Sequence, residues 1–146
     1  MVLQLIRDLA EYERLLSECE NDEARFLEAF FAPGPRAFCD VAEVGNALVG
    51  YAIWFYSYST FTGRHGIHLE DVFVRPEHRG GGIGKAFLFK LAERCAEEGL
   101  TRLEWSVLDW NEPSIRFYRS LGADPVDGWI RFRMSGEALA QFAAAE

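Results

Sequence analysis

The sequence predicts a mixed α/β fold, a central sheet flanked by helices, and three observations carry it. A glycine run, Gly80-Gly81-Gly82-Ile83-Gly84, follows the apolar stretch Val72-Phe73-Val74. It precedes a helical pattern in which Ile83, Phe87, Leu91 and Cys95 recur every four residues. Upstream of it, two helix-like stretches lead into strand-like ones. Downstream, strand and helix alternate. At 146 residues the chain reads as one domain, 1–146, with enough length for a core.

Taken in order, residues 2–16 form a helix: Leu5, Leu9, Tyr12 and Leu16 share a face, and Arg7, Asp8, Glu11 and Arg14 supply the wet one. A short second helix runs to Phe31, with Asn21 or Asp22 as its cap and Pro33-Gly34-Pro35 as its end. Phe38 to Val44 is a strand. Asn46 begins a turn, and Leu48 to Tyr58 is a long strand apolar on both faces, as in a covered sheet. Ser57 to Gly66 reads as a polar loop.

Ile67 to Val74 is the next strand, and its parity slips. Ile67 and Leu69 point one way, while Val72 and Val74 have the opposite parity. The slip falls at Glu70-Asp71, where a β-bulge would account for it. Gly99 stops the helix that follows the glycine run. Arg102 to Leu108 alternates as a strand, and Pro113 opens a helix that reaches Gly122. Trp129 to Met134 is a strand and Gly136 to Ala145 a terminal helix.

The composition narrows the function. The chain is 49% apolar and 26% charged, with a net charge of −8. That balance speaks against nucleic acid and suits a cationic substrate, or simply a solvated acidic surface. Cys19, Cys39 and Cys95 lack metal-ligand spacing and read as thiols in a reducing compartment. His65, His68 and His78 form no ligand pair, so no metal is expected. No stretch approaches the ~18 apolar residues of a membrane span, and no signal peptide opens the chain. A cytoplasmic protein without membrane contact is the expectation.

The glycine run carries the chemistry. Backbone N–H groups at a helix start, with the helix dipole behind them, make an anion site suited to pyrophosphate. Spacing selects among the loops that use this physics. A P-loop needs Gly-Lys-Ser/Thr, and here Gly84-Lys85 is followed by Ala86. A dinucleotide fingerprint needs a third glycine where this chain has Lys85 or Phe87. The pattern that fits is Arg-x-x-Gly-x-Gly, as Arg79, Gly82 and Gly84.

That pattern resembles the acyl-CoA loop of the Gcn5-related N-acetyltransferases. Leu69 to Val74 looks like that family's fourth strand, and Asn111 to Tyr118, followed by Leu121-Gly122, looks like its late helix. Leu-Glu-Asp-Val-Phe-Val together with Trp-Asn-Glu-Pro-Ser is similar to the diamine (spermidine/spermine) and thialysine branch. The resemblance covers most of the chain. It implies a mostly antiparallel sheet flanked by helices. The family's usual first strand is missing ahead of the helix at residue 2, so an unpaired sheet edge is expected.

The resemblance also implies acetyl transfer from acetyl-CoA to a primary amine of a small cationic substrate, by direct attack. It assigns the pantetheine arm to Val72, Phe73, Val74 and Asn111. It assigns the pyrophosphate to Arg79, Gly80, Gly81, Gly82, Ile83 and Gly84, with added charge from Arg75 and Lys85. Tyr118 matches the family's thiolate-protonating tyrosine, and Glu70 the branch's base, acting directly or through water. Asp71 either binds a substrate ammonium or supports the bulge. Trp54, Tyr56 and Phe61 either line an alkyl-amine groove or belong to the core. A homodimer is implied as well. The rival reading is a CoA-binding sensor or degenerate module without turnover, against which stand both Glu70 and Tyr118.

Overall fold

The computed structural model describes residues 1–145, in two compact units, Met1–Leu108 and Asp109 onward. The first unit holds helices α1 (Val2–Tyr12), α2 (Glu23–Phe31) and α3 (Ile83–Glu98). It also holds strands β1 (Phe38–Val44), β2 (Ala47–Ser59), β3 (Arg64–Val74) and β4 (Leu103–Trp105). They form one sheet in the order β1-β2-β3-β4, antiparallel except for the parallel β3–β4 pair. The second unit holds α4 (Glu112–Ser120) and α5 (Gly136–Ala143).

The two faces of the sheet bury different helices. Leu5 of α1 is fully buried against Tyr51, Ile53 and Phe73, with Val2, Ile6, Leu9, Phe30, Cys39 and Leu48 around it. By strand alternation Ala52 and Trp54 point the other way, and there Arg94 of α3 lies 4.9 Å over the Trp54 ring. Helix α3 buries Phe87, Leu88, Leu91 and Cys95. Each large side chain so covered contributes about 1.5–3 kcal/mol of transfer free energy.

Several boundaries follow the sequence. The Asp22 carboxylate accepts the Arg25 N–H at 2.8 Å and caps α2. Gly99 sits in the left-handed region (φ 66°), and the Leu100 N–H closes back on the Cys95 carbonyl at 2.8 Å. β1 occupies the residues expected of it.

Four expectations need correction. The first helix ends at Tyr12 rather than at residue 16. Arg14 takes φ 63°, and the Leu15 N–H bonds the Ala10 carbonyl at 2.8 Å, a turn that closes the helix without a glycine. Leu16 then lies exposed in a short 3-10 turn, Leu16–Glu18. The loop from Ser57 to Gly66 is mostly hairpin: Ser57, Tyr58 and Ser59 pair with Gly66, His65 and Arg64, leaving residues 60–63 as the turn. Backbone pairing there is indifferent to the polar side chains. The strand expected over Arg102–Leu108 shrinks to Leu103–Trp105, because those are the positions opposite Ile67–Leu69. Residues 129–134 form no strand among the described residues; their alternation is strand-like, but they pair with no neighbour. Trp129, Ile130 and Phe132 are exposed instead.

Candidate active site

The bulge in β3 builds the site. Ile53 pairs with Asp71 and Trp54 with Leu69, so Glu70 has no partner across β2. An extra residue in one strand breaks the alternation of faces. Glu70 and Asp71, neighbours in sequence, therefore reach the same side of the sheet, the side covered by α1. Their contacts agree: Glu70 Oε2 lies 3.7 Å from His68 Nε2, and the Tyr51 hydroxyl donates to Asp71 Oδ2 at 3.5 Å.

The two carboxylates live in different surroundings. The Glu70 side chain is 58% exposed. Asp71 is half-buried, and burial pushes its carboxyl up to about 6, helped by the negative charges of Glu70 and Glu13; the Tyr51 hydrogen bond works the other way. Glu13, just past the end of α1, is itself raised by burial. The Tyr51 hydroxyl is held protonated by burial and by Asp71. Burial and the neighbouring Asp40 push the Cys39 thiol up to about 11, so it stays a neutral packing group. The result is an acidic cluster in which an exposed carboxylate adjoins one whose pKa is raised to about 6. Such a pair suits proton transfer to and from an amine.

Beside this cluster the sheet opens. The β3–β4 pairing runs no further than Leu69 and Trp105, so from the bulge onward the β4 side of β3 has no strand partner among the described residues. The Arg75 N–H bonds the Val49 carbonyl at 2.8 Å, which turns alternate residues Phe73 and Arg75 toward β2. Val72 then presents its peptide N–H and carbonyl outward, as does Val74, whose carbonyl already accepts from Arg79 Nε at 2.8 Å. An extended ligand with amides of its own fits such an edge.

The strand leads into the glycine loop. Gly80 and Gly82 adopt φ of 79° and 85°, a backbone that side chains rarely take, and a Cβ at either would meet nothing within 4 Å. Approach to the loop's backbone is therefore open. Gly82 begins α3 without any side-chain cap, and the first bond of the helix runs from the Ala86 N–H to the Gly82 carbonyl at 2.8 Å. The amides of Ile83, Gly84 and Lys85 have no acceptor within the helix. Free amides, a positive dipole end and an open approach fit a pyrophosphate.

Arg79 does other work. Its Nε donates to the Val74 carbonyl at 2.8 Å, and its guanidinium lies over the Tyr12 ring (5.2 Å) and the Phe73 ring (5.5 Å). It fastens the loop to the end of β3 and to α1.

The remaining sequence candidates of the first unit lie away from Glu70 and Asp71. Trp54 is 2% exposed, stacked on Phe38 at 4.6 Å, with its indole N–H donated to Asp40 at 3.0 Å on the α3 side. The Tyr56 hydroxyl donates to Glu98 at 2.7 Å, on α3. Phe61 stands 96% exposed in the β2–β3 turn. In the second unit, Asn111 is buried and caps α4 through the Ser114 N–H at 3.4 Å. Tyr118 is half-buried on the same helix beside Phe117. Sequence reasoning missed Glu13 and Tyr51. Tyr51 shared its parity with Ile53, which was a usable signal, whereas nothing marked Glu13. Among the described residues no His, Cys, Asp and Glu group has the makings of a metal site, and no helix is long and apolar enough to cross a membrane.

A bulged strand that parts from its parallel neighbour and runs into an uncapped glycine loop at a helix start defines an acyl-CoA-type transferase scaffold. The profile of the acetyltransferase (GNAT) family matches residues 3–123, and the chain belongs to that family of N-acetyltransferases. The thialysine N-epsilon-acetyltransferase of Sus scrofa is 39% identical, over 97% of this chain and 89% of that protein. The protein of the same name from Caenorhabditis elegans is 33% identical over the same shares. Matches of this length put the chain with the diamine and thialysine branch. The spermidine/spermine N(1)-acetyltransferase-like protein 1 of Homo sapiens is 32% identical, over 99% of this chain but 22% of that protein. Among solved structures, a Vibrio cholerae integron cassette protein superimposes with a TM-score of 0.81 at 20% identity, covering 97% of this chain and 89% of that one. At that identity it speaks for the fold alone.

Proposed function

We propose that this protein, as a single N-acetyltransferase domain, moves an acetyl group from acetyl-CoA to the primary amine of a small cationic substrate, polyamine, thialysine or similar. The observation that carries the reading is the bulge at Glu70. It sets two carboxylates beside the stretch where β3 leaves β4 and heads for the glycine loop. The relatives' names support the substrate class, and the net charge of −8 suits it.

The chemistry follows from the groups. An alkylammonium has a pKa of about 10.4, so the amine arrives protonated and cannot attack. Glu70 takes that proton, directly or through one water, and Asp71 holds the ammonium beforehand. The outward peptide groups of Val72 and Val74 align the pantetheine arm, which Asn111 also serves. The amides from Gly80 to Gly84 take the pyrophosphate while Arg79 anchors the loop. The neutral nitrogen then attacks the thioester carbon, the carbon–sulfur bond breaks, Tyr118 gives its proton to the departing thiolate, and the proton that the nitrogen sheds as it becomes an amide restores the tyrosine through solvent. Holding both reactants in one geometry replaces a bimolecular encounter. We place the protein in the cytoplasm as a homodimer, a reading supported by the exposed Trp129 and Ile130.

Thiol release from acetyl-CoA, measured across a panel of polyamines, thialysine, aminoglycosides and lysine peptides, tests the reading. Turnover is expected with small di- or polyamines. CoA binding without thiol release for any amine would leave a sensor in place of an enzyme.

A further inference from the structure

His68 stands beside the site, and the proposed reaction gives it nothing to do. It lies two residues before Glu70 on β3, so the two side chains share one side of the sheet. Its Nε2 is 3.7 Å from Glu70 Oε2. The ring is held in place by Phe55, its partner across β2, with centroids 4.9 Å apart and planes 29° from parallel. On the β4 side the residue in register with His68 is Glu104, whose carboxylate takes an Arg102 N–H at 3.4 Å. The bulge leaves Glu70 without a partner across β2, and the base that meets its carboxylate is this fixed imidazole.

The proton balance of the reaction gives the contact a task. An ammonium and a thioester become an amide and a thiol, so each turnover releases one proton. In the proposed chemistry it is the proton that Glu70 takes from the ammonium, since the one shed later by the nitrogen restores Tyr118. Glu70 must lose that proton before it serves again. Asp71 is already engaged by the Tyr51 hydroxyl and, in the same chemistry, by the ammonium. Imidazole is the side chain that exchanges protons between pH 5 and 8. At 3.7 Å the contact is longer than a hydrogen bond, and a turn of the exposed carboxylate or one bridging water closes it. Contacts of this kind are often long until substrate binds.

We infer that His68 is the proton relay of Glu70. The O–H bond of the Glu70 carboxylic acid breaks, an N–H bond forms at His68 Nε2, and the imidazolium gives one proton to water. Glu70 returns to a carboxylate and His68 to a neutral ring. His68 touches no substrate and acts through Glu70. The inference rests on the acetyl-transfer reading, in which Glu70 is the base.

Thiol release at saturating acetyl-CoA and amine, in dilute buffer at pH 7 with uncatalysed release subtracted, tests it. Circular dichroism confirms that each variant is folded. His68→Gln is expected to lower kcat about tenfold and to leave the amine's KM unchanged. His68→Ala opens space for a free imidazole, and added imidazole is expected to restore its kcat. Imidazole should leave the parent unaffected, and also Glu70→Gln combined with His68→Ala, which has no carboxyl proton to take. A loss that imidazole does not restore would make His68 a packing support and overturn the inference. So would a parental kcat in folded His68→Gln, or equal rescue of the double variant. Any of these beside a normally active parent removes the relay alone. A parent that releases no thiol with any amine removes the acetyl-transfer reading and the relay with it.

Discussion

Among the described residues the Tyr51 hydroxyl is the one side-chain hydrogen-bond donor aimed at Asp71, across 3.5 Å, and two further carboxylates oppose it. Asp71 is thus kept in a state where it binds a proton more readily than in the unfolded chain. That has a sign. A carboxyl raised by folding from 3.8 to about 6 binds more protons in the native state between those values, so stability falls as pH rises through that window. At 1.36 kcal/mol per unit the loss is on the order of 3 kcal/mol. Asp71→Asn is expected to flatten the dependence and to gain stability near neutral pH. Urea unfolding at pH 4.5, 5.5 and 7 measures it; parallel pH profiles for variant and parent would refute the assignment.

The close approach of β3 to β4 depends on Gly66. A Cβ there would stand 2.6 Å from Arg102 Cγ and 2.8 Å from the Arg102 carbonyl oxygen. That oxygen accepts the Ile67 N–H at 2.9 Å. Gly66→Ala is expected to force the strands apart and cost about 1–3 kcal/mol, read as a lower denaturant midpoint. An unchanged midpoint would mean that Arg102 moves freely.

Gly82→Asp adds a negative charge and a side chain where the backbone sits at φ 85° beside the uncapped amides of α3. Loss of CoA affinity by at least tenfold is expected in calorimetry, with circular dichroism confirming a folded variant. Unchanged affinity in a folded protein would move the pyrophosphate elsewhere.

The division of labour between Glu70 and Tyr118 separates by pH. Tyr118→Phe is expected to lower kcat by roughly 10²–10⁴-fold at every pH. Glu70→Gln should lose most at low pH and recover partly as pH rises, because more neutral amine is then supplied by solution. Both are measured with substrates saturating. A near-parental kcat in Tyr118→Phe, with chemistry rate-limiting, would give the thiolate's proton to water.

Much of this site could be read from local sequence, for a physical reason. The bulge showed as a parity slip at Glu70-Asp71, since alternation is enforced residue by residue. The glycine loop showed because the left-handed φ of Gly80 and Gly82 is one that glycine takes without steric cost and other residues rarely do. What escaped depends on partners distant in sequence. The alternation over residues 103–108 could not reveal that β3 turns away after Leu69. The aromatic run of β2 could not tell which rings meet substrate and which, like Trp54, are claimed by Asp40 and Phe38. Arg79 fitted a phosphate-binding motif, yet its guanidinium is drawn to two rings contributed by α1 and β3. Glu13 had no periodic or motif signal, and only the packing of α1 brings it toward Asp71.

Strand connectivity also sets an order of assembly. β1, β2 and β3 are joined through residues 45–46 and 60–63, so their pairings close over short loops. β4 meets β3 only after residues 75–102, α3 among them, have crossed over. Loop closure of that length is slow. The three-strand meander is therefore expected to form in the rate-limiting step and the β3–β4 contact after it. In stopped-flow experiments Val49→Ala in β2 should chiefly slow refolding, and Leu103→Ala in β4 should chiefly speed unfolding. The reverse pattern would mean that β4 belongs to the nucleus. On the expected order, the β3–β4 pairing opens again before the rest of the sheet does, which makes the side proposed to face substrate the kinetically weakest seam of the sheet.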